Sequence, residues 1–109
     1  MTTTTPIDLP ELEKLVRHQR ELYRVLRKLA EQQPELIENG EAEQLLRLLQ
    51  QRQRVVDELT AVNADLRPYR ERWSEIWAQV PDDQQADLSQ VLKASQEDLK
   101  AIIARDDQD

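Results

Sequence analysis

Few side chains in this 109-residue chain could do covalent or proton-transfer chemistry: one histidine, 22 carboxylates and 15 Lys or Arg residues, with no cysteine. The missing thiol excludes disulfides and thiolate nucleophiles. His18 lies between Arg17 and Arg20. Its one acidic neighbour at a facing helical spacing is Glu21, which those arginines also attract. An active or metal site needs several convergent groups, and there is no Glu-x-x-His pair of the kind that builds di-metal sites in helical bundles. A single glycine excludes a glycine-rich phosphate loop. The carboxylates stand three or four residues from bases, as in Glu13 with Arg17, Glu43 with Arg47 and Glu97 with Lys100. Such surface pairs contribute about a few tenths of a kcal/mol each and are not acid–base dyads. The sequence therefore assigns no catalytic residue, no metal ligand and no cofactor, and the chain is expected not to be an enzyme.

Binding is the chemistry that remains. The basic row Arg17, Arg20, Arg24, Arg27 and Lys28 is interleaved with Glu21 and followed by Glu31, in a chain of net charge −7. Phosphate binding needs a positive field, so this row reads as a solvated face and nucleic acid is not an expected partner. The acid is concentrated in residues 81–109, with three bases against eight acids. The aromatic residues carry more information. Tyr69, Trp73 and Trp77 are spaced four and four, which lines their rings along one side of a helix, and Ile76 and Val80 widen the patch. Two readings fit: core packing against the neighbouring helices, or a groove for an amphipathic partner segment.

The elements that must carry these residues are helical. Leu, Glu, Gln, Arg and Ala dominate, β-branched residues are sparse, and Phe is absent. Apolar residues make up 39% and charged residues 34%. That is thin for a ball but sufficient for helices with one apolar stripe each. We expect an all-α fold: an elongated three-helix bundle or helical hairpin with a long middle helix. Residues 1–7 form a flexible arm, 8–105 one helical domain, and 106–109 an acidic tail. The first helix, about 9–32, is capped by Asp8, with Glu11 in a capping-box position and Pro10 in the first turn. Its stripe is Leu12, Leu15, Val16, Leu22, Tyr23, Leu26, Leu29 and Ala30, and it should fade before Pro34. Asn39-Gly40 is a turn.

The second helix, about 41–79, runs through Leu45, Leu48, Leu49, Arg52, Val55, Val56, Leu59, Val62, Asn63 and Leu66. It resumes in register after Pro68, either as one kinked rod of about 60 Å at 1.5 Å per residue or broken at Arg67. The third, about 83–105, is capped by Asp82 and carries Leu88, Val91, Leu92, Leu99, Ile102 and Ile103. Gln19, Arg52 and Asn63 interrupt the stripes. The arginine can snorkel; the two amides either fix register within the bundle or lie at stripe edges, and the edge is the expected place. No apolar run approaches the roughly 20 residues that span a bilayer, so membrane insertion is not expected. The threonine-rich start is no secretory signal, which makes the cytoplasm the expected compartment. The middle helix is longer than its neighbours, which leaves surface for a partner or a second copy.

One stretch resembles a known family. Residues 36–66 place a small turn, Asn39-Gly40, before the leucine pairs Leu45-Leu46 and Leu48-Leu49. A polar run Arg52-Gln53-Arg54 follows, then Val55-Val56 and Glu58-Leu59. Flagellar export chaperones of the FlgN type look like this, with a leucine-striped helix upstream and another helix downstream. The resemblance implies a small cytoplasmic chaperone for flagellum assembly and type III secretion. Such a protein holds the C-terminal segments of hook–filament junction proteins and delivers them to the export apparatus. It further implies that the C-terminal helical region takes the substrate. By resemblance that region is residues 77–103, with Leu88, Val91, Leu92, Leu99, Ile102 and Ile103 as candidate contacts, and the aromatic stripe adds Tyr69, Trp73, Ile76, Trp77 and Val80 from its spacing alone. The alternative is a structural, self-associating coiled-coil or bundle protein, a homo-oligomer without a secretion substrate.

Overall fold

The computed structural model describes residues 8–106, and they form an all-α bundle of four helices. These are α1 (Leu9–Glu38), α2 (Ala42–Glu71), the short α3 (Trp73–Gln79) and α4 (Asp82–Asp106). The molecule is elongated, 60 × 27 × 21 Å. The expected arm, residues 1–7, and residues 107–109 of the expected tail lie outside the described residues.

α1 starts where its cap predicts. Asp8 Oδ1 accepts from the Glu11 backbone N–H at 3.0 Å, and Pro10 stands in the first turn. The helix does not fade before Pro34 but runs on to Glu38. Pro34 is solvent-exposed, and Leu36 beyond it is half-buried, so the ring meets water while the apolar stripe goes on. The helix ends instead at Asn39-Gly40. Gly40 has φ +68°, its N–H donates to Ile37 O at 3.2 Å, and Glu41 N–H donates to Leu36 O at 3.1 Å. This pair of bonds with a left-handed residue is a Schellman cap, which favours glycine.

α2 returns antiparallel to α1. Pro68 neither breaks the helix at Arg67 nor allows one rod to Gln79. The helix passes through the proline to Glu71 and breaks at Arg72, whose φ and ψ are −118° and 25°. The Arg72 N–H takes the Tyr69 carbonyl at 3.2 Å, and Ile76 N–H takes the Arg72 carbonyl at 3.0 Å. The bend lets Ile76 and Val80 enter the core, where both are buried. The Trp77 carbonyl, near the end of α3, accepts from Gln85 Nε2 at 2.7 Å. α4 opens one residue before expectation, placing Asp82 and Asp83 in the first turn, where negative charge complements the helix dipole. It ends at Asp106, a residue expected in the tail. That carboxylate accepts from Arg52 Nη2 at 2.6 Å, which ties the helix end to α2.

The core is a single cluster that includes Leu12, Val16, Leu22 and Leu26 of α1, Leu59, Val62 and Leu66 of α2, and Leu88 and Ile102 of α4. α4 runs parallel to α1, since Asp87 meets Arg17 and Asp98 meets Arg27. α1 is the hub. It packs along both α2 and α4, which barely touch one another.

Candidate functional site

Two polar clusters fix how the outer helices lie on α1. On the α2 side Gln19 is buried, and its Nε2 donates to Asn63 Oδ1 at 2.8 Å. The same oxygen accepts from Arg70 Nη2 at 3.1 Å. Gln19 thus belongs to the interior rather than to a stripe edge, because its amide is matched across the interface and a matched polar group can be buried. A slip of one helix along the other would break that match, so the pair marks the register.

On the α4 side Asp98 is the buried acid. Its carboxylate accepts from Arg20 at 2.9 Å and from Arg27 at 3.0 Å. Two further arginines of the row are also occupied: Arg17 by Glu13 at 3.1 Å and by Asp87, and Arg24 by Glu21 at 2.7 Å. Hydrogen bonds to Glu13, Glu21 and Asp98 push the guanidinium pKa values of Arg17, Arg24 and Arg27 above their usual value. The row is therefore not the simple solvated face expected of it. Three of its arginines, Arg17, Arg20 and Arg27, clamp α4 to α1.

Between α2 and α4 the surface of α1 stays open as a furrow with two adjoining hollows. The upper one, about 370 Å³, is lined by Val16, Gln19, Leu66, Tyr69, Arg70, Trp73, Leu92 and Gln96. The lower one, about 260 Å³, adds Tyr23, Ser95 and Leu99. Tyr69 is half-buried, and its hydroxyl donates to Glu11 Oε2 at 3.1 Å. Burial, and then this bond to a carboxylate, raise its pKa above the ordinary phenol value. Trp73 lines the upper hollow and stacks on Trp77, with ring centroids 5.4 Å apart and planes 26° from parallel. Both rings are half-buried. The stripe is therefore partly core and partly surface.

Helical spacing relates further residues to those that line the hollows. Residues seven apart share one line of a helix. Leu49, Val56, Asn63 and Arg70 make such a line on α2, and Leu92 and Leu99 make one on α4. Ile103 stands one turn beyond Leu99. Val16, Tyr23, Ala30 and Ile37 make the line along the floor. Six large apolar residues are exposed: Ile37, Leu46, Leu49, Val56, Leu99 and Ile103. Five of them lie on these lines or one turn from them, and Leu46 adjoins the α2 rim. Comparison with protein-family models, with curated proteins and with solved structures gives no match.

The furrow sorts the residues singled out from the sequence. Tyr69, Trp73, Leu92 and Leu99 line it, Ile103 extends it, and Trp77 backs Trp73. Ile76, Val80, Leu88 and Ile102 are buried core and offer no surface to a partner. Val91 is half-buried and packs against the core. Sequence reasoning missed Gln19, Tyr23, Arg70, Ser95 and Gln96 as lining residues, and Leu49 and Val56 as a rim. The missed signal is the second member of each apolar doublet. In Leu48-Leu49 and Val55-Val56 the first residue turns toward the core and the second stands more exposed. Among the described residues no group of His, Asp or Glu could hold a metal ion, and no helix is long and apolar enough to cross a membrane.

Proposed function

We propose that the chain is a helical binding protein whose furrow between α2 and α4 takes an amphipathic helix of a partner protein, completing a four-helix arrangement. The observation that carries this reading is the placement of the exposed apolar residues. They are not scattered singly, as is ordinary on a protein surface. Leu99 lines the furrow itself, and helical spacing places Ile37, Leu49, Val56 and Ile103 on lines that run on from its lining residues. A helix laid in the furrow would cover these residues with its own apolar stripe, which is the helix-in-groove mode.

The resemblance of residues 36–66 to FlgN-type chaperones gives the partner a candidate identity. It is the C-terminal segment of a hook–filament junction protein, held in the cytoplasm and passed to the export apparatus. Trp73 and Trp77 are the only tryptophans in the chain, so their fluorescence reports directly on the furrow. Titration with junction-protein C-terminal peptides should give a saturable change in emission. Trp73→Ala should weaken binding of a labelled peptide by about tenfold or more, as removal of a central aromatic anchor does. No binding by the folded chain at peptide concentrations on the order of 1 mM, the weakest useful affinity, would overturn the proposal.

A second reading, self-association, is favoured by the Leu46, Leu49 and Val56 surface of α2, which would serve a second copy as well as a foreign helix. Sedimentation separates the two. A tight oligomer that junction peptides leave intact supports the second.

A further inference from the structure

The furrow contains a charge that the fold leaves without a counter-charge. Arg70 lines both hollows and is the only charged residue among those lining them. Its neighbours on α2 and at the bend are paired: Arg67 with Glu71 at 3.5 Å and Arg72 with Glu75 at 3.2 Å. Arg52, further along the same helix, holds Asp106. Arg70 instead donates to the neutral Asn63 Oδ1 at 3.1 Å and forms no ion pair with any described residue. The lower hollow is bordered by Ser95. Ser95 is buried, and its Oγ has no hydrogen-bond partner. Water satisfies Arg70 while the furrow is open. Any apolar segment that covered it would strip that water and leave a desolvated cation, which is strongly unfavourable unless the occupant supplies an anion.

We infer that the occupant is an amphipathic helix of another protein with a carboxylate side chain set between two apolar anchors. The carboxylate pairs with Arg70. One anchor fills the hollow of Val16, Tyr69 and Trp73, and the other fills that of Tyr23, Ser95 and Leu99. This deepens the furrow reading given above and rests on it. A second copy of this chain fits less well. Two furrows facing each other about a twofold axis would bring two Arg70 side chains into one apolar interface, and neither would supply the missing charge.

The test uses the full chain and three 18-residue amphipathic peptides with the same leucine face. They differ at one position between the leucines, which is Glu, Gln or Lys. The wild type should bind the Glu peptide roughly tenfold more tightly than the Gln peptide, the scale of a charge-assisted hydrogen bond in a partly desolvated site, and the Lys peptide least. Arg70→Gln should remove the preference, and Arg70→Glu should reverse it toward Lys. Arg70 is exposed, and unchanged circular dichroism and urea midpoint confirm that the variants fold. Equal affinity for all three peptides overturns the role of Arg70 and leaves the furrow reading standing. If no peptide binds the folded wild type, both fail together. A dimer in sedimentation that the Glu peptide does not dissociate overturns the inference in favour of self-association.

Discussion

Asp98→Asn tests the clamp between α1 and α4 with almost no change in shape. The wild-type carboxylate has an 8% exposed side chain and accepts from Arg20 and Arg27. The asparagine has one acceptor oxygen in place of two, and its NH₂ must face a guanidinium, so one of the two charge-assisted bonds is lost outright and the other weakened. Breaking a fully buried ion pair costs about 3–5 kcal/mol, and an exposed one about 0–1 kcal/mol. Here the acid is buried while the arginine side chains are 32% and 43% exposed. They return to water when released, so the loss falls between these limits, at about 2 kcal/mol. With a slope near 2 kcal/mol/M, typical of a small domain, the urea midpoint should fall by about 1 M with the slope unchanged. A loss under about 0.5 kcal/mol would refute the reasoning. The triple change Arg20→Met, Asp98→Leu, Arg27→Met should be close to neutral, since it removes the burial penalty together with the pairing.

Gly40→Ala should destabilise by about 1–2 kcal/mol through the left-handed backbone alone, because a Cβ there would meet nothing within 4 Å; an unchanged urea midpoint would contradict this. Pro34→Ala should raise stability by up to about 3 kcal/mol with no gain in helical circular dichroism, since the helix already runs through that position; a rise in helicity would show that α1 frays there. Tyr69 supplies a pH dependence. Its folded pKa is raised, by burial first and then by Glu11, so its contribution is complete below the ordinary phenol value of about 10 and is lost as pH rises through the higher folded value. Tyr69→Phe should therefore flatten the alkaline end of a stability profile, and an identical profile in the two proteins would exclude Tyr69 as its source.

Much of this architecture can be read from local rules. The stripes of α1 and α2, the Asp8 cap, the Asn39-Gly40 turn and the start of α4 near Asp82 each depend on residues within a turn or two of one another. The prolines mislead, because rules about Pro34 and Pro68 weigh one hydrogen bond against nothing. In the folded chain Leu36 and Tyr69, beyond the prolines, still pack. The break at Arg72 has no signature of its own in the sequence. Polar interior residues were the harder case. Gln19 meets Asn63 across 44 positions, and Asp98 meets Arg20 across 78, and no periodicity of either helix announces such a match. The furrow was half legible. Its aromatic end stood out by composition, whereas its rims were merged with the core stripe beside them, since adjacent leucines look alike until something covers one of them.

The role of α1 as hub has a consequence for how the molecule comes apart. α4 is joined to the rest through α1, the short α3 linker and the Arg52–Asp106 tie, and part of its seat is polar, at Ser95 and Asp98. The α1–α2 hairpin holds its own apolar seam from Leu12 to Leu66 and does not need α4 to keep its register. Opening should therefore proceed in two stages, with α4 peeling away as a unit before the hairpin melts. Amide hydrogen exchange should then show one shared, lower protection along α4 and a higher plateau at the α1–α2 seam. The boundary between cooperative units would then fall inside a single small domain.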